Sequence, residues 1–206
     1  MQSKDLWEQV YTAKPTSGVS WFQEHAQQST QLIRQTSVAR DASIIDIGGG
    51  ASTLVDDLLD EGYMKVAVLD LSEAALSASR SRLGARADTV TWLVSDITRV
   101  DLPRHAYDVW HDRAVFHFLT SSHEREAYVQ AVLRAVKPGG HVIVATFAED
   151  GPERCSGLPV MRYSADGLHA QFGAPFTLLQ QAREEHHTPL GTVQKFIYCL
   201  CRKEPS

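Results

Sequence analysis

The most informative stretch of this chain is Asp46-Ile47-Gly48-Gly49-Gly50-Ala51-Ser52. It overlaps the end of the short apolar run Ser43–Ile47, a pattern typical of a buried strand. Consecutive glycines let the backbone turn sharply and approach a ligand, because no Cβ stands in the way. From Ser52 to Glu61 the apolar residues recur at helical spacing. These residues therefore predict a strand, a glycine-rich turn that can hold a ligand, and a helix.

Strand and helix patterns alternate along the rest of the chain. The further predicted strands are 65–69, 90–94, 107–110, 141–147, 176–183 and 194–202, and the further predicted helices are 73–83, 122–136 and 164–172. Ser72 is expected to cap the first of these helices. Lys137-Pro138-Gly139-Gly140 predicts a turn. Such alternation predicts an α/β fold, a doubly wound and mostly parallel seven-stranded sheet. No helix pattern separates the last two strands, which are therefore expected to form a C-terminal antiparallel hairpin.

The composition is that of an ordinary soluble globular protein, with 43% hydrophobic and 22% charged residues among 206. The formal net charge is -5 and no dense run of Lys or Arg occurs, which gives no reason to expect a nucleic-acid partner. No stretch approaches eighteen apolar residues, so no membrane span is expected. Three cysteines without a CxxC pair favour a reducing compartment over a disulfide framework. We therefore expect a cytoplasmic protein.

Two acidic residues follow the second and third predicted strands. Asp70 lies twenty positions after Gly50, where a carboxylate can accept hydrogen bonds from both hydroxyls of a ribose. Asp96 and Ile97 come at the end of the third strand. A carboxylate there can accept from the exocyclic amine of an adenine, and Ile97 can pack on the ring face. The carboxyl ends of these strands therefore predict a nucleoside site.

A nicotinamide dinucleotide is the main competing ligand for this site. Its fingerprint requires a third glycine where this chain has Thr53. A pyrophosphate would also be repelled by Asp46, whereas the sulfonium and amino groups of S-adenosylmethionine are positively charged. Tyr11 and Lys14 precede the first strand and lack the Tyr-x-x-x-Lys spacing of a short-chain reductase. These features together favour S-adenosylmethionine.

From about Ser43 to Arg202 the order of elements resembles that of class I S-adenosylmethionine-dependent methyltransferases, whose core is Rossmann-like. We accordingly expect one domain over residues 1–206, with an N-terminal helical lid over 1–42 and the core over 43–206. The resemblance implies a cofactor set around the methionine part, the ribose and the adenine. These residues are Asp46, Gly48, Gly49, Gly50, Asp70, Leu71, Asp96, Ile97 and His111. The implied product is S-adenosylhomocysteine.

The segment after the fourth predicted strand carries the candidate catalytic residues. In the family it resembles, the loop after strand four faces the methyl group. Asp112 can orient a substrate proton, His117 can act as a base, and Arg113 can clamp a carboxylate or pair with Asp112. The alternative is a structural ion pair between Asp112 and Arg113, with His117 packed inside.

Four further residues are candidates for the substrate side. Trp21 and Phe22 can cover the site as part of the lid, or can staple the N-terminal segment to the core. Cys155 lies in the loop after strand five, where it can contact an acceptor or fill space, and Arg162 follows that loop. No metal is predicted, because adjacent histidines such as His186 and His187 point to opposite faces of an extended chain.

The leading hypothesis is transfer of a methyl group to a small molecule, since the chain has little room for a separate substrate domain. A protein lysine methyltransferase is the alternative among enzymes. The opening Leu6-Trp7-Glu8-Gln9-Val10-Tyr11 resembles the start of such seven-strand enzymes, whereas His111-Asp112-Arg113 replaces the motif that those enzymes often carry after strand four. A protein that binds S-adenosylmethionine without catalysing methyl transfer is the third hypothesis. Oxygen, nitrogen, sulfur and metalloid acceptors all stay open.

Overall fold

A computed structural model describes residues 4–13 and 18–205. These ranges include only part of the predicted lid over 1–42. Residues 1–3 and 14–17, among them Lys14, lie outside the described ranges. None of the described helices is long and apolar enough to cross a lipid bilayer.

The described part of the chain contains one seven-stranded sheet and a small separate hairpin. The strands are β1 Ser43–Ile47, β2 Lys65–Asp70, β3 Val90–Val94, β4 Tyr107–Arg113, β5 Val136–Phe147, β6 Arg154–Cys155, β7 Leu158–Pro159, β8 Phe176–His187 and β9 Val193–Lys203. The sheet order is β3-β2-β1-β4-β5-β9-β8, and β6 pairs with β7 alone. Strands β1 to β5 pair in parallel, whereas β9 is antiparallel to both β5 and β8. This topology confirms the predicted doubly wound sheet with its C-terminal antiparallel hairpin.

Helices cover both faces of the sheet. They are α1 Lys4–Ala13, α2 Gln27–Gln35, α3 Leu54–Asp60, α4 Glu73–Leu83, α5 Ser122–Ala135 and α6 Ala165–Phe172, with short 3-10 turns at Gly84–Thr89 and Phe116–Phe118. Ser72 caps α4 as the sequence predicts, because its side chain accepts a hydrogen bond from the backbone N–H of Ala75 at 3.1 Å.

Strand β1 shows why the two faces form two cores. Ile44 packs in the cluster that contains α2, α3 and α4, whereas Ile45 and Ile47 pack in the cluster that contains α5 and α6. Both faces are buried, so the strand reads as a continuous apolar run. Asp46 breaks that run on the same face as Ile44. The strand thereby directs one carboxylate into the otherwise apolar α2 side of the sheet.

Three predicted boundaries were wrong by three residues or more, including the end of β8, which lies at His187 instead of Arg183. Strand β4 continues to Arg113 rather than ending at Trp110, so that His111 and Asp112 belong to the strand and not to the following loop. These polar residues are buried and satisfied by hydrogen bonds, which composition alone does not reveal. Strand β5 begins at Val136, and the predicted turn at 137–140 is an irregularity inside the strand with Gly139 at φ 75°.

Candidate active site

A cleft of about 840 Å³ opens at the carboxyl ends of β1, β2 and β4. A second chamber of about 560 Å³ adjoins it on the α2 side and includes Asp46, Gly49 and His111 in its walls. Tyr11, Trp21, Ile47, Gly48 and Arg113 line both spaces. Ligands of open α/β sheets bind in such a crevice outside the carboxyl ends of the strands.

The glycine loop between β1 and α3 leaves no room for side chains. A Cβ on Gly49 would lie 2.2 Å from Asp46 Oδ2, and one on Gly50 would lie 2.4 Å from Asp70 Oδ2. Gly48 has φ +68°, and a Cβ there would lie 2.1 Å from Val115 Cγ2. The three glycines therefore bring the backbone against two carboxylates at the cleft.

Asp70 closes β2 and is buried at the edge of the cleft. Its Oδ2 accepts from the Gly50 N–H at 2.9 Å, and its Oδ1 accepts from the Ser72 N–H at 2.8 Å. Burial raises the pKa of Asp70 to about 6, although these backbone hydrogen bonds act in the opposite direction. Each oxygen keeps a second lone pair, so the carboxylate can still accept hydrogen bonds from a ligand.

Asp46 forms part of a buried chain of polar side chains. Its Oδ1 lies 2.7 Å from His111 Nδ1, and His111 Nε2 lies 2.8 Å from Ser29 Oγ on α2. The other oxygen, Asp46 Oδ2, is buried under Gly49 without a hydrogen-bond partner among the described residues. An unpaired buried carboxylate oxygen favours a cationic or N–H ligand.

Asp96 lies two residues beyond the end of β3, which spans the predicted residues 90–94. Its Oδ1 accepts from the Thr98 N–H at 2.9 Å and from the Thr98 hydroxyl at 2.7 Å, and about a third of the side chain is exposed. Leu71 and Ile97 line the same cleft as apolar surfaces. A flat ring held between apolar walls can therefore present an amine to Asp96.

Asp112 points away from this cleft. Its Oδ1 accepts from the Val115 N–H at 2.8 Å, and its Oδ2 accepts from the Phe116 N–H at 3.1 Å and the Tyr128 hydroxyl at 2.6 Å. The side chain is fully buried and lines neither space, and burial raises its pKa to about 6. Asp112 thus holds the turn that follows β4, which favours a structural role over its predicted catalytic one.

Arg113 does line the cleft, but it does not pair with Asp112 as predicted. Neighbouring residues on a strand point to opposite faces, which separates the two side chains. Arg113 instead forms an ion pair with Glu184 at 3.2 Å and donates to the Tyr198 hydroxyl at 2.8 Å. Its guanidinium also lies 4.1 Å from the centre of the Phe196 ring. Glu184 was missed at the sequence level, because it lies on the distant strand β8.

His117 is fully buried behind Phe118 and lines neither space. Its Nδ1 accepts from the Phe147 N–H at 3.4 Å. Burial and the nearby charge of Arg113 lower the pKa of His117 to about 3, so the ring is neutral at physiological pH. This placement favours the packed alternative over the predicted general base.

The N-terminal segment lies over the cleft, as expected of a lid. Trp7 packs edge-on against Trp21 and Phe118, with ring centres 5.7 and 5.4 Å apart, and Trp21 Nε1 donates to the Tyr11 hydroxyl at 3.2 Å. All four rings line the larger cleft. Glu8, which was missed at the sequence level, attaches α1 to the start of α4 through the N–H groups of residues 73 and 74, at 2.7 and 3.0 Å.

The other predicted substrate residues lie in different places. Phe22 lines the second chamber, and buried Cys155 lines the larger cleft, where burial raises the pKa of its thiol to about 11. Arg162 is exposed, bonds to the Gly151 carbonyl and Glu153, and lines neither space. The structure therefore brings Cys155 and Phe22 to the site and leaves Arg162 outside it.

Comparison with known proteins shows which proteins this chain resembles. Residues 44–140 match the model of a methyltransferase domain. A structure from work on the conversion of a disulfide bond into a thioacetal group during echinomycin biosynthesis has a TM-score of 0.79 and 19% identity, over 98% of this chain and 92% of that one. The Burkholderia thailandensis 1,6-didemethyltoxoflavin-N1-methyltransferase was solved with bound 1,6-didemethyltoxoflavin and S-adenosylhomocysteine. Its structure has a TM-score of 0.68 and 20% identity, over 95% of this chain and 81% of that one.

Residues 44–140 are therefore similar to methyltransferase domains, and the chain has the fold of class I S-adenosylmethionine-dependent methyltransferases. These similarities support S-adenosylmethionine, the cofactor that the sequence predicts. Curated relatives include the eEF1A lysine and N-terminal methyltransferase of Mus musculus, 23% identical over 141 residues, and that of Bos taurus, 21% identical over 153 residues. The matches cover 68% and 71% of this chain but only 20% and 22% of the relatives, so this chain spans about a fifth of their length.

The residues of the cleft fit this cofactor. Asp46 Oδ2 is an unpaired acceptor in the chamber that adjoins Gly48, and Gly49 and Gly50 form a cradle that a Cβ would fill. Carboxylates at Asp70 and Asp96 supply acceptors for ribose hydroxyls and an amine. Because the cofactor carries a positively charged sulfonium and ammonium group, these acidic residues match its charge.

Replacing Asp70 by alanine is expected to weaken binding of S-adenosylhomocysteine by about 1–3 kcal/mol, because ribose acceptors are lost. Binding by the unchanged protein should also weaken as the pH falls through about 6, where Asp70 takes up a proton and loses one accepting oxygen. Calorimetric titration between pH 5 and 8 measures both effects. Asp60→Ala, at an exposed ion pair with Arg86, is the matched control. Equal affinity of Asp70→Ala and Asp60→Ala would show that the ribose lies elsewhere.

Proposed function

We propose that this chain is an S-adenosylmethionine-dependent methyltransferase that acts on a small-molecule acceptor held beneath the N-terminal lid. The observation that carries the proposal is the aromatic roof of the cleft. Trp7, Tyr11, Trp21 and Phe118 converge there, and Trp7 and Phe118 are each less than a tenth exposed. A space covered by four aromatic rings suits a compact and flat acceptor better than an extended polypeptide.

The cofactor site assigns roles to this chain's own residues. Asp46 and the glycine loop hold the methionine part, Asp70 holds the ribose, and Asp96 with Leu71 and Ile97 holds the adenine, which is the arrangement the sequence predicts. When bound, S-adenosylmethionine supplies an electrophilic methyl group on a sulfonium that leaves readily. Catalysis then depends mainly on holding the acceptor close and aligned with that methyl group.

Arg113 is the residue best placed to orient ligands in this site. Among the described residues that line the two spaces it is the only Lys or Arg, and it reaches both of them. Its side chain is fixed by Glu184 and Tyr198, so its position is set before a ligand arrives. We assign it to holding an anionic or carbonyl group in line with the methyl group.

The lid excludes water from the reacting atoms. Glu8 attaches α1 to the start of α4, two to four residues beyond Asp70. The segment that contains the ribose contact therefore also holds α1 in place over the cleft. Binding of the cofactor and closure of the lid are coupled through this segment. With His117 and Asp112 away from the cleft, this proposal uses neither as a general base. An acceptor that arrives deprotonated or neutral needs none.

Methyl transfer from tritium-labelled S-adenosylmethionine tests the function. The purified protein is incubated with a panel of small aromatic and heterocyclic acceptors and, separately, with protein extract. We expect label in the small-molecule fraction, and at least a tenfold lower rate for Trp21→Ala, which removes one wall of the roof. Label found only in protein would overturn the proposal.

Methylation of a protein lysine is the second candidate, and the curated relatives favour it. They are named as eEF1A lysine and N-terminal methyltransferases in mouse and cow. This function requires the lid to open for a lysine side chain. Label that appears in protein extract, and that stays on lysine after acid hydrolysis, would support this candidate.

A further inference from the structure

A hydrogen-bonded chain of three buried side chains crosses from α2 to the cofactor site. Ser29, His111 and Asp46 come from three different elements and are 1%, 2% and 2% exposed. Ser29 Oγ lies 2.8 Å from His111 Nε2, and His111 Nδ1 lies 2.7 Å from Asp46 Oδ1. Burying three polar groups costs free energy that apolar residues of similar size would not incur. The presence of these three buried polar side chains on a mostly apolar face therefore suggests that they have a function in the cofactor site.

The donor and acceptor directions follow from elementary chemistry. An ionised carboxylate only accepts hydrogen bonds, so His111 Nδ1 carries the proton that it shares with Asp46. In a neutral imidazole the other nitrogen is then an acceptor, and the Ser29 hydroxyl must donate to it. Asp46 thereby fixes the tautomer of His111, and the Ser29 hydroxyl fixes the orientation of the ring.

This chain leaves one oxygen of Asp46 for a ligand. Oδ1 is engaged by His111, whereas Oδ2 has no partner among the described residues and lies beside the glycine loop. The ring also prevents the carboxylate from rotating. We propose that Ser29 is a positioning residue that acts through His111 to hold Asp46 ready for the ammonium group of the cofactor. The inference rests on the cofactor role proposed for Asp46.

The neighbouring residue of α2 provides a matched control. Thr30 is also buried at 5% exposure, but its hydroxyl donates to the Gln27 carbonyl within the helix and does not contact His111. Ser29→Ala and Thr30→Ala each remove one buried hydroxyl from the same helix. A purely structural role for Ser29 would make the two variants behave alike.

Two measurements test the inference. In nitrogen-15 spectra of the ligand-free protein, the His111 signal, assigned by its loss in His111→Gln, is expected to report the tautomer with hydrogen on Nδ1. Binding of S-adenosylhomocysteine is expected to weaken about tenfold in Ser29→Ala and to stay unchanged in Thr30→Ala.

The opposite tautomer, or a doubly protonated ring, would overturn the inference. So would equal affinities of the two alanine variants. Failure of the wild-type protein to bind S-adenosylhomocysteine would refute the cofactor site itself and this inference with it. If the wild-type protein binds S-adenosylhomocysteine but His111 has the opposite tautomer, the cofactor site stands and only this inference is refuted.

Discussion

Gly50→Ala is expected to lower the affinity for S-adenosylhomocysteine by at least about 100-fold, on the order of 3 kcal/mol. The new Cβ would lie 2.4 Å from Asp70 Oδ2 and 2.5 Å from the Cβ of Ala75. Neither neighbour can yield easily, because Asp70 is held by two backbone N–H groups and Ala75 lies in the first turn of α4. The loop must therefore move away from the carboxylate that is assigned to the ribose. Calorimetric titration of the folded variant measures the loss.

Gly167→Ala is the control for the effect of a methyl group alone. Gly167 lies in α6, where the nearest atom to a new Cβ is Ser164 Oγ at 3.1 Å. Alanine also favours helix formation relative to glycine. This variant should bind S-adenosylhomocysteine as the wild-type protein does. Wild-type affinity in Gly50→Ala would instead mean that the cofactor does not approach this loop.

The fold was predictable because its signals are local and repeated. Strands β1 and β2 are short, mostly apolar runs, and each run ends at a glycine or an acidic residue. The N-cap at Ser72 and the C-terminal hairpin were equally readable. The end of β4 was not, because His111 and Asp112 look like loop residues until their buried partners are known.

The candidate site was predictable in part for the same reason. Asp46, Asp70 and the glycines lie at strand ends that a parallel sheet brings together. The direction of Asp112 and the pairing of Arg113 depend on which face of β4 each side chain occupies. That alternation can be applied only once the strand is known to extend through both residues.

Contacts between residues far apart in the sequence could not be predicted from the sequence. Glu184 is 71 residues from Arg113, and Glu8 is 65 residues from Glu73. Both glutamates look like ordinary charges on amphipathic elements, for which a solvent-exposed role is the common case. Only tertiary structure reveals that one fixes the guanidinium in the cleft and the other attaches the lid.

Asp112→Ala is expected to lower the free energy of unfolding by about 3–5 kcal/mol. The substitution leaves three buried donors without an acceptor, namely the N–H groups of Val115 and Phe116 and the hydroxyl of Tyr128. The Tyr128 hydroxyl also accepts from Trp110 Nε1 at 2.9 Å, so the defect reaches the core on the α5 side. Urea denaturation followed by tryptophan fluorescence measures the change.

Asp101→Ala is the control, because this carboxylate is 91% exposed and its removal should change stability by less than about 0.5 kcal/mol. Asp112→Asn keeps the shape and one accepting oxygen, so it should lose about half as much stability as the alanine variant. At low temperature, the folded fraction of Asp112→Asn should still bind S-adenosylhomocysteine and transfer methyl groups. A stable Asp112→Asn protein that binds the cofactor without turnover would show that Asp112 takes part in catalysis, since lost packing cannot explain that combination.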